Sequence, residues 1–188
     1  MNARIEPVEP PFDAGIQTWL DKVMPPGLPP LTLFTTLARD PRLFEKFFSG
    51  GLLDKGNLTL RQRELVILRT TARCQSEYEW GVHVALFAER VGFTTQHHHS
   101  LVHGVPGDSC WSKQDRCLLE LCDQLHDTST LDNCLWLVLR NQFSETALIE
   151  LLLLAGFYRT VSYLTNALQL PPESFAARFD SIRSGPDR

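Results

Sequence analysis

The chain of 188 residues carries 18 Lys and Arg against 22 Asp and Glu, a formal net charge of -4, and its length suits one domain that hides roughly 70% of its unfolded surface. The basic residues are scattered singly, so no electrostatic footprint marks a nucleic-acid partner. The longest apolar run, around residues 148–157, is interrupted by Glu150 and falls short of the roughly 20 residues that span a bilayer, so no membrane partner is expected.

The first residues, Met1 to Glu6, lack the apolar stretch and small-residue cleavage site of a secretory signal, and a cytoplasmic location is expected. Five cysteines, Cys74, Cys110, Cys117, Cys122 and Cys134, are odd in number, and no two stand at the two-residue gap of redox pairs or zinc sites. Free thiols in a reducing compartment fit that pattern.

Residues 1–30 form a proline-rich arm in which only residues 12–23, between two proline clusters, are free to form a helix. The arm is expected to pack across the main domain, residues 31–170, with residues 171–188 as a C-terminal tail. A short amphipathic piece spans 31–38, and Asp40 followed by Pro41 then offers an N-cap and a first helical position for a helix ending at Gly50-Gly51. Thr59 and Gln62 form a capping-box pattern ahead of a helix over 60–72, apolar almost all round and therefore central.

After a break at 74–76, Trp80, Val84, Phe87 and Val91 repeat at the spacing of one buried helix face over 77–91, closed by Gly92. Thr94 caps a histidine-containing helix ending near Gly104, and Ser112 with Asp115 caps another to about His126. Two more helices are predicted over 131–141 and 145–168. Nothing alternates with the period of two that a half-buried strand needs, so the fold class is all-α.

Glu79 and His83 stand four residues apart on one predicted helix and therefore share a face. A carboxylate at that distance favours imidazolium and orients the ring, while burial pushes the other way, which leaves His83 able to exchange a proton near neutrality. The same spacing equally fits an ordinary surface pair. Glu64 lies in the run Glu64-Leu65-Val66-Ile67-Leu68, where a carboxylate is costly unless partnered, either at a site or by a salt bridge to Arg61 or Arg69. His99 and His103 have a metal-compatible spacing, but no acidic or cysteine ligand stands among His97, His98 and His99, so a solvated helix face is expected and no metal.

The run Arg63-Glu64-Leu65-Val66-Ile67-Leu68-Arg69, then Cys74, then Glu77-Tyr78-Glu79-Trp80-Gly81-Val82-His83 resembles the carboxymuconolactone decarboxylase-like superfamily, in a subgroup with Tyr-Glu-Trp before the histidine. Asp115-Arg116, Glu120-Leu121 and Gly156-Phe157-Tyr158 with Asn166 extend the likeness over about residues 31–170. The resemblance implies an AhpD-like bundle of about seven or eight helices, a homo-oligomer, and a site at Glu64, Glu79 and His83 that needs no cofactor. In the alkylhydroperoxidase branch a Cys-x-x-Cys pair precedes the histidine, and Ser76 and Glu79 stand at those positions here.

The resemblance therefore implies an enzyme moving a proton on a small organic acid or lactone, with or without decarboxylation. His83 is its acid-base, Glu79 its orienter and Glu64 a second carboxylate. The alternatives are a lone-thiol peroxidase in which Cys74 acts beside Glu64 and His83, and a non-catalytic binding or assembly module. Tyr78 and Trp80 are open to either a pocket or the core.

Overall fold

The computed structural model describes residues 3–181. Among them stand nine α-helices, two short 3-10 turns and no strand. The helices are α1 (Ala14–Val23), α2 (Thr32–Leu37), α3 (Pro41–Ser49), α4 (Leu60–Arg73), α5 (Glu77–Phe87), α6 (Thr95–His103), α7 (Lys113–Thr128), α8 (Asn133–Gln142) and α9 (Glu145–Ala167). Eight of them are longer than six residues, in keeping with the seven or eight expected, and the ninth is the six-residue α2 formed by the 31–38 piece. Residues 182–188 of the expected tail lie outside the described residues.

Local capping sets most of these boundaries. Asp40 accepts a hydrogen bond from the Leu43 amide with Pro41 in the first turn, and the capping boxes Thr59/Gln62 and Ser112/Asp115 are both closed. One boundary differs from expectation: α5 ends at Phe87 rather than at 91. The chain there tightens into a 3-10 turn, Glu89–Val91, and the Ala88 carbonyl accepts from both Val91 and Phe93. Gly92, at φ 70°, supplies the left-handed residue that this closure requires.

Helix α4 is the axis of the molecule: Glu64 through Ala72 are all buried, and α5, α6, α7 and α9 pack around it. Its relation to α7 is written in charge. Arg61 pairs with Asp115 at 3.0 Å, Arg69 with Asp123 at 2.7 Å and Arg73 with Asp127 at 2.6 Å, each pair 54 residues apart. A constant offset, rather than a constant sum, means that the two helices run parallel and in register. Arg69 also donates to the carbonyls of Ser100, Leu101 and Gly104, and so closes the C-terminal end of α6.

Helix α9 supplies the other wall. Ala147, Leu148, Leu151, Leu154, Ala155, Tyr158, Val161, Ser162 and Thr165 form its buried stripe. It is also the one described helix long and apolar enough to cross a membrane, yet that inner stripe packs on α4 and α5. Its outer face carries Ile149, Leu152, Leu153 and Tyr163, which are exposed.

The arm packs across the domain: the Arg4 amide donates to Leu168 and the Val8 amide to Thr35, and Trp19 stacks on Phe48 over a second small core of Ile16, Leu20, Ala38 and Phe44. Past α9, residues 171–181 strap back over α5. The Ala177 amide donates to the Gly81 carbonyl, and a Cβ at Gly81 would stand 2.2 Å from the Ala177 oxygen, so only glycine admits the strap.

Removing Arg69, whose side chain is 4% exposed, takes both short hydrogen bonds from Asp123, which keeps only Arg73 at 3.5 Å, and strips the Leu101 and Gly104 carbonyls of their guanidinium donor. Arg69→Met is expected to lower unfolding free energy by about 3 kcal/mol in urea titration, and Arg69→Lys to recover little because it lacks the two-pronged geometry. A loss under about 1 kcal/mol contradicts this role.

Candidate active site

Three of the helices packed around one another bring the sequence-predicted trio together. Glu64 sits in the second turn of α4, Glu79 and His83 lie on successive turns of α5, and Tyr158 comes from the middle of α9. Glu64 is fully buried, His83 is 4% exposed and Glu79 7%. The neighbouring stripe residues Leu65, Leu68, Trp80 and Leu154 are also buried, which explains how an apolar core comes to enclose charge.

His83 Nδ1 lies 2.7 Å from Glu64 Oε2, and His83 Nε2 lies 3.4 Å from Glu79 Oε1. Burial alone pulls the imidazole toward its neutral form. The charge and hydrogen bond of Glu64, followed by those of Glu79, outweigh it and push His83 up to about 9 from 6.5. At neutral pH the ring is therefore an imidazolium, donating Nδ1–H to Glu64 and directing Nε2–H at Glu79. Tyr158 is held well above its ordinary value by burial and then by the charges of Glu79 and Glu64, so its hydroxyl remains protonated.

The remaining partners define how the group is closed. Glu64 Oε1 accepts from Arg63 Nε at 3.2 Å, and Arg63 Nη1 donates to the Leu53 carbonyl. Beside a functional site, the sequence allows Glu64 an ion pair with a nearby arginine such as Arg61 or Arg69. Both are instead committed to α7, and the long Arg63 side chain folds back onto the adjacent carboxylate. Glu79 Oε2 is buried and has no hydrogen-bond partner, a costly state for a carboxylate oxygen unless something else comes to it.

His83 also meets Tyr158 edge-on, with ring centroids 5.1 Å apart, and Phe87 at 5.3 Å. Phe87 is only half-buried and lies under two guanidinium groups, Arg63 at 5.8 Å and Arg90 at 5.5 Å from its centroid. Arg63, Phe87 and Tyr158 were not singled out as site residues from sequence. Arg63 was visible only as the neighbour of Glu64, and Tyr158 only as a polar tip in an apolar helix.

Cys74 is not part of this group. It caps the C-terminal end of α4, ten residues and thus about 15 Å along the helix from Glu64. Its sulfur lies 3.7 Å from His126 Nδ1 on α7, so the expected placement of Cys74 beside Glu64 and His83 is corrected. Ser76, at the first position of a redox pair, is buried and hydrogen-bonded to the Thr165 hydroxyl at 2.8 Å, joining α5 to α9.

Two other candidates resolve into structure. Tyr78 reaches the Leu33 amide and Glu173, and Trp80 is fully buried against Phe179 and His98. His97 serves as the third residue of the α6 capping box, accepting from the Thr94 amide at 3.0 Å. His99 and His103 stack at 5.2 Å, and among the described residues no three His, Cys, Asp or Glu side chains gather closely enough to hold a metal ion.

Residues 41–104, which hold Glu64, Glu79 and His83, match the model of the Carboxymuconolactone decarboxylase family. No curated protein matches the chain. Among solved structures, the AhpD-core, uncharacterized peroxidase-related protein of Ralstonia eutropha JMP134 is similar, with TM-score 0.77 and 18% identity over 90% of this chain and 93% of that one. A peroxidase-related protein of Silicibacter sp. TM1040 gives TM-score 0.75 and 18% identity over 89% and 90%. The debrominase Bmp8 in complex with 2,3,4-tribromopyrrole gives TM-score 0.68 and 16% identity over 93% and 94%. Residues 41–104 are thus similar to the Carboxymuconolactone decarboxylase family, and over about nine-tenths of its length the chain shares the helical fold of these AhpD-like structures.

Proposed function

We propose that the chain is a proton-transfer enzyme of the decarboxylase kind, acting on a small organic acid or lactone with His83 as the proton donor. The observation that carries this reading is the His83 ring held between two buried carboxylates, 2.7 Å from Glu64 and 3.4 Å from Glu79, a setting that favours its protonated form. Glu64 fixes the ring and keeps it charged. The longer, weaker contact on the Nε2 side is the one that a substrate can replace, and the unpartnered Glu79 Oε2 offers it an acceptor.

The step is simple in this geometry. A bond from carbon to a carboxylate breaks, carbon dioxide leaves, and the electron pair remains as an enolate on a neighbouring carbonyl. His83 gives its Nε2 proton to the carbon, and Glu79 orients the ring and balances its charge. The Tyr158 hydroxyl, edge-on to His83, is available to the enolate oxygen. Arg63 and Arg90 over Phe87 set positive charge beside the ring that covers His83, which favours an anionic substrate. That the debrominase relative is complexed with a bromopyrrole supports a small planar ligand in this fold.

The expected homo-oligomer is likewise our proposal, supported by the outer stripe of α9. Ile149 and Leu153 stand four residues apart on one flank of α9 and are exposed. A two-fold pairing of that flank buries both and leaves Leu152 and Gly156 open to solvent. Light scattering is expected to give a mass above one chain for the native protein and one chain for Leu153→Glu. A monomeric native protein contradicts the pairing.

Turnover is best read by deuterium uptake at carbon and carbon dioxide release across a panel of small acids and lactones. His83→Ala and Glu79→Gln are expected to lower it by at least about a hundredfold with circular dichroism unchanged, and Arg90→Gln to raise KM with little loss of kcat. Undiminished turnover in His83→Ala removes the proposal.

The raised value of His83 also has a stability consequence. A group raised from 6.5 to about 9 on folding contributes stability that is complete below 6.5 and is lost as the pH rises through about 9, a difference on the order of 3 kcal/mol. Denaturant midpoints measured from pH 6 to 10 should fall for the native chain and stay nearly level for His83→Gln. Parallel curves for the two proteins contradict it.

A further inference from the structure

The proton-transfer reading leaves a second constellation unused. At the far end of α4, Cys74 and His126 line a solvent-open cleft of about 200 Å³ between α4, α7 and α9, with Thr70, Leu125, Leu152 and Arg159 among its other walls. A volume below the roughly 300 Å³ of ordinary ligand pockets limits any occupant to a few heavy atoms. Three polar groups in it are open to a ligand.

The first is the thiol, 3.7 Å from His126 Nδ1. Burial pushes Cys74 up, with the Ser162 hydroxyl and the charges of Arg159 and Arg73 offsetting only part of it. Burial, followed by the charges of Arg73 and Arg159, pulls His126 down. The pair thus rests as a neutral thiol beside a neutral imidazole able to take its proton.

The second is Arg159. Its Nε donates to the Tyr163 hydroxyl and its Nη1 to the Leu125 and His126 carbonyls, which fixes the guanidinium while Nη2 has no acceptor among the described residues. The third is Thr70, 93% buried, whose hydroxyl oxygen has no hydrogen-bond partner. An orphan hydroxyl and an unspent guanidinium edge beside a thiol-imidazole pair make a built site rather than an isolated cysteine.

We propose that Cys74, His126, Arg159 and Thr70 form a second, nucleophilic site that captures a small carboxylate bearing a conjugated enone. His126 takes the thiol proton and the sulfur forms a bond to the alkene carbon next to the carboxylate, which Arg159 holds. The π pair moves to the ketone as an enolate, which accepts a hydrogen bond from Thr70. The imidazolium then returns its proton to the carbon beside the ketone, so the adduct forms without oxidant or reductant.

The test uses the intact chain, 3-acetylacrylate, its neutral methyl ester, and peptide-mapping mass spectrometry, with exposed Cys134 as the internal reference. The ratio of Cys74 to Cys134 adduct is expected to be roughly fivefold higher for the acid than for the ester, the worth of one partly exposed ion pair. Arg159→Gln should remove that preference alone, whereas His126→Gln should slow Cys74 with both reagents and leave Cys134 untouched. Cys74 reacting no faster than Cys134, or an equal ratio for acid and ester in the native chain, overturns the proposal. Cys74→Ser leaves proton-transfer turnover intact, so the two sites fail separately.

Discussion

The structure depends on one buried charge pair, Glu64 with His83. A carboxylate with no exposure in the middle of an apolar helix is tolerable only if it is matched by hydrogen bonds and opposite charge. His83 and Arg63 supply both, one to each carboxylate oxygen. The requirement runs in both directions: α5 must present His83 at the second turn of α4, and the imidazole must carry its proton for the pair to be balanced. Packing and protonation state are one constraint here.

That constraint makes sense of how α4 is used along its length. Its N-terminal half turns Glu64 toward α5 and α9, while arginines at 61, 69 and 73 lock it parallel to α7. Because the arginines facing α7 are spent on aspartates, none of them competes for Glu64. Its C-terminal end, past the last pair, presents Cys74 to His126 instead. One helix thus separates an enclosed proton-transfer group from an open thiol cleft by about 15 Å, and a single mechanism joining Cys74 to His83 does not fit the geometry.

Much of this was legible in the sequence because it is local. Thr59/Gln62, Ser112/Asp115 and Asp40-Pro41 announce helix starts through side chains that reach only three residues. Glu79 and His83 share a face by spacing alone, and Glu64 betrays itself by the cost of its setting. What sequence could not give depends on which faces meet. Arg63 rather than Arg61 or Arg69 closes on Glu64 because α7 claims the other two, and the 54-residue register that decides this is invisible until the helices are placed. The early end of α5 follows from hydrogen bonds between Ala88 and Phe93, where the apolar spacing runs on unbroken. His126 as the partner of Cys74, 52 residues away, carries no sequence signal at all.

The central claim is that His83 stands as a proton donor at neutral pH, and nitrogen-15 NMR of histidine-labelled protein at pH 8 tests it directly. That pH lies between the ordinary 6.5 and the shifted value of about 9. The account predicts that the His83 ring has both nitrogens protonated, and that Glu64→Gln returns it to the neutral form. A neutral His83 ring in the native protein at that pH contradicts the account.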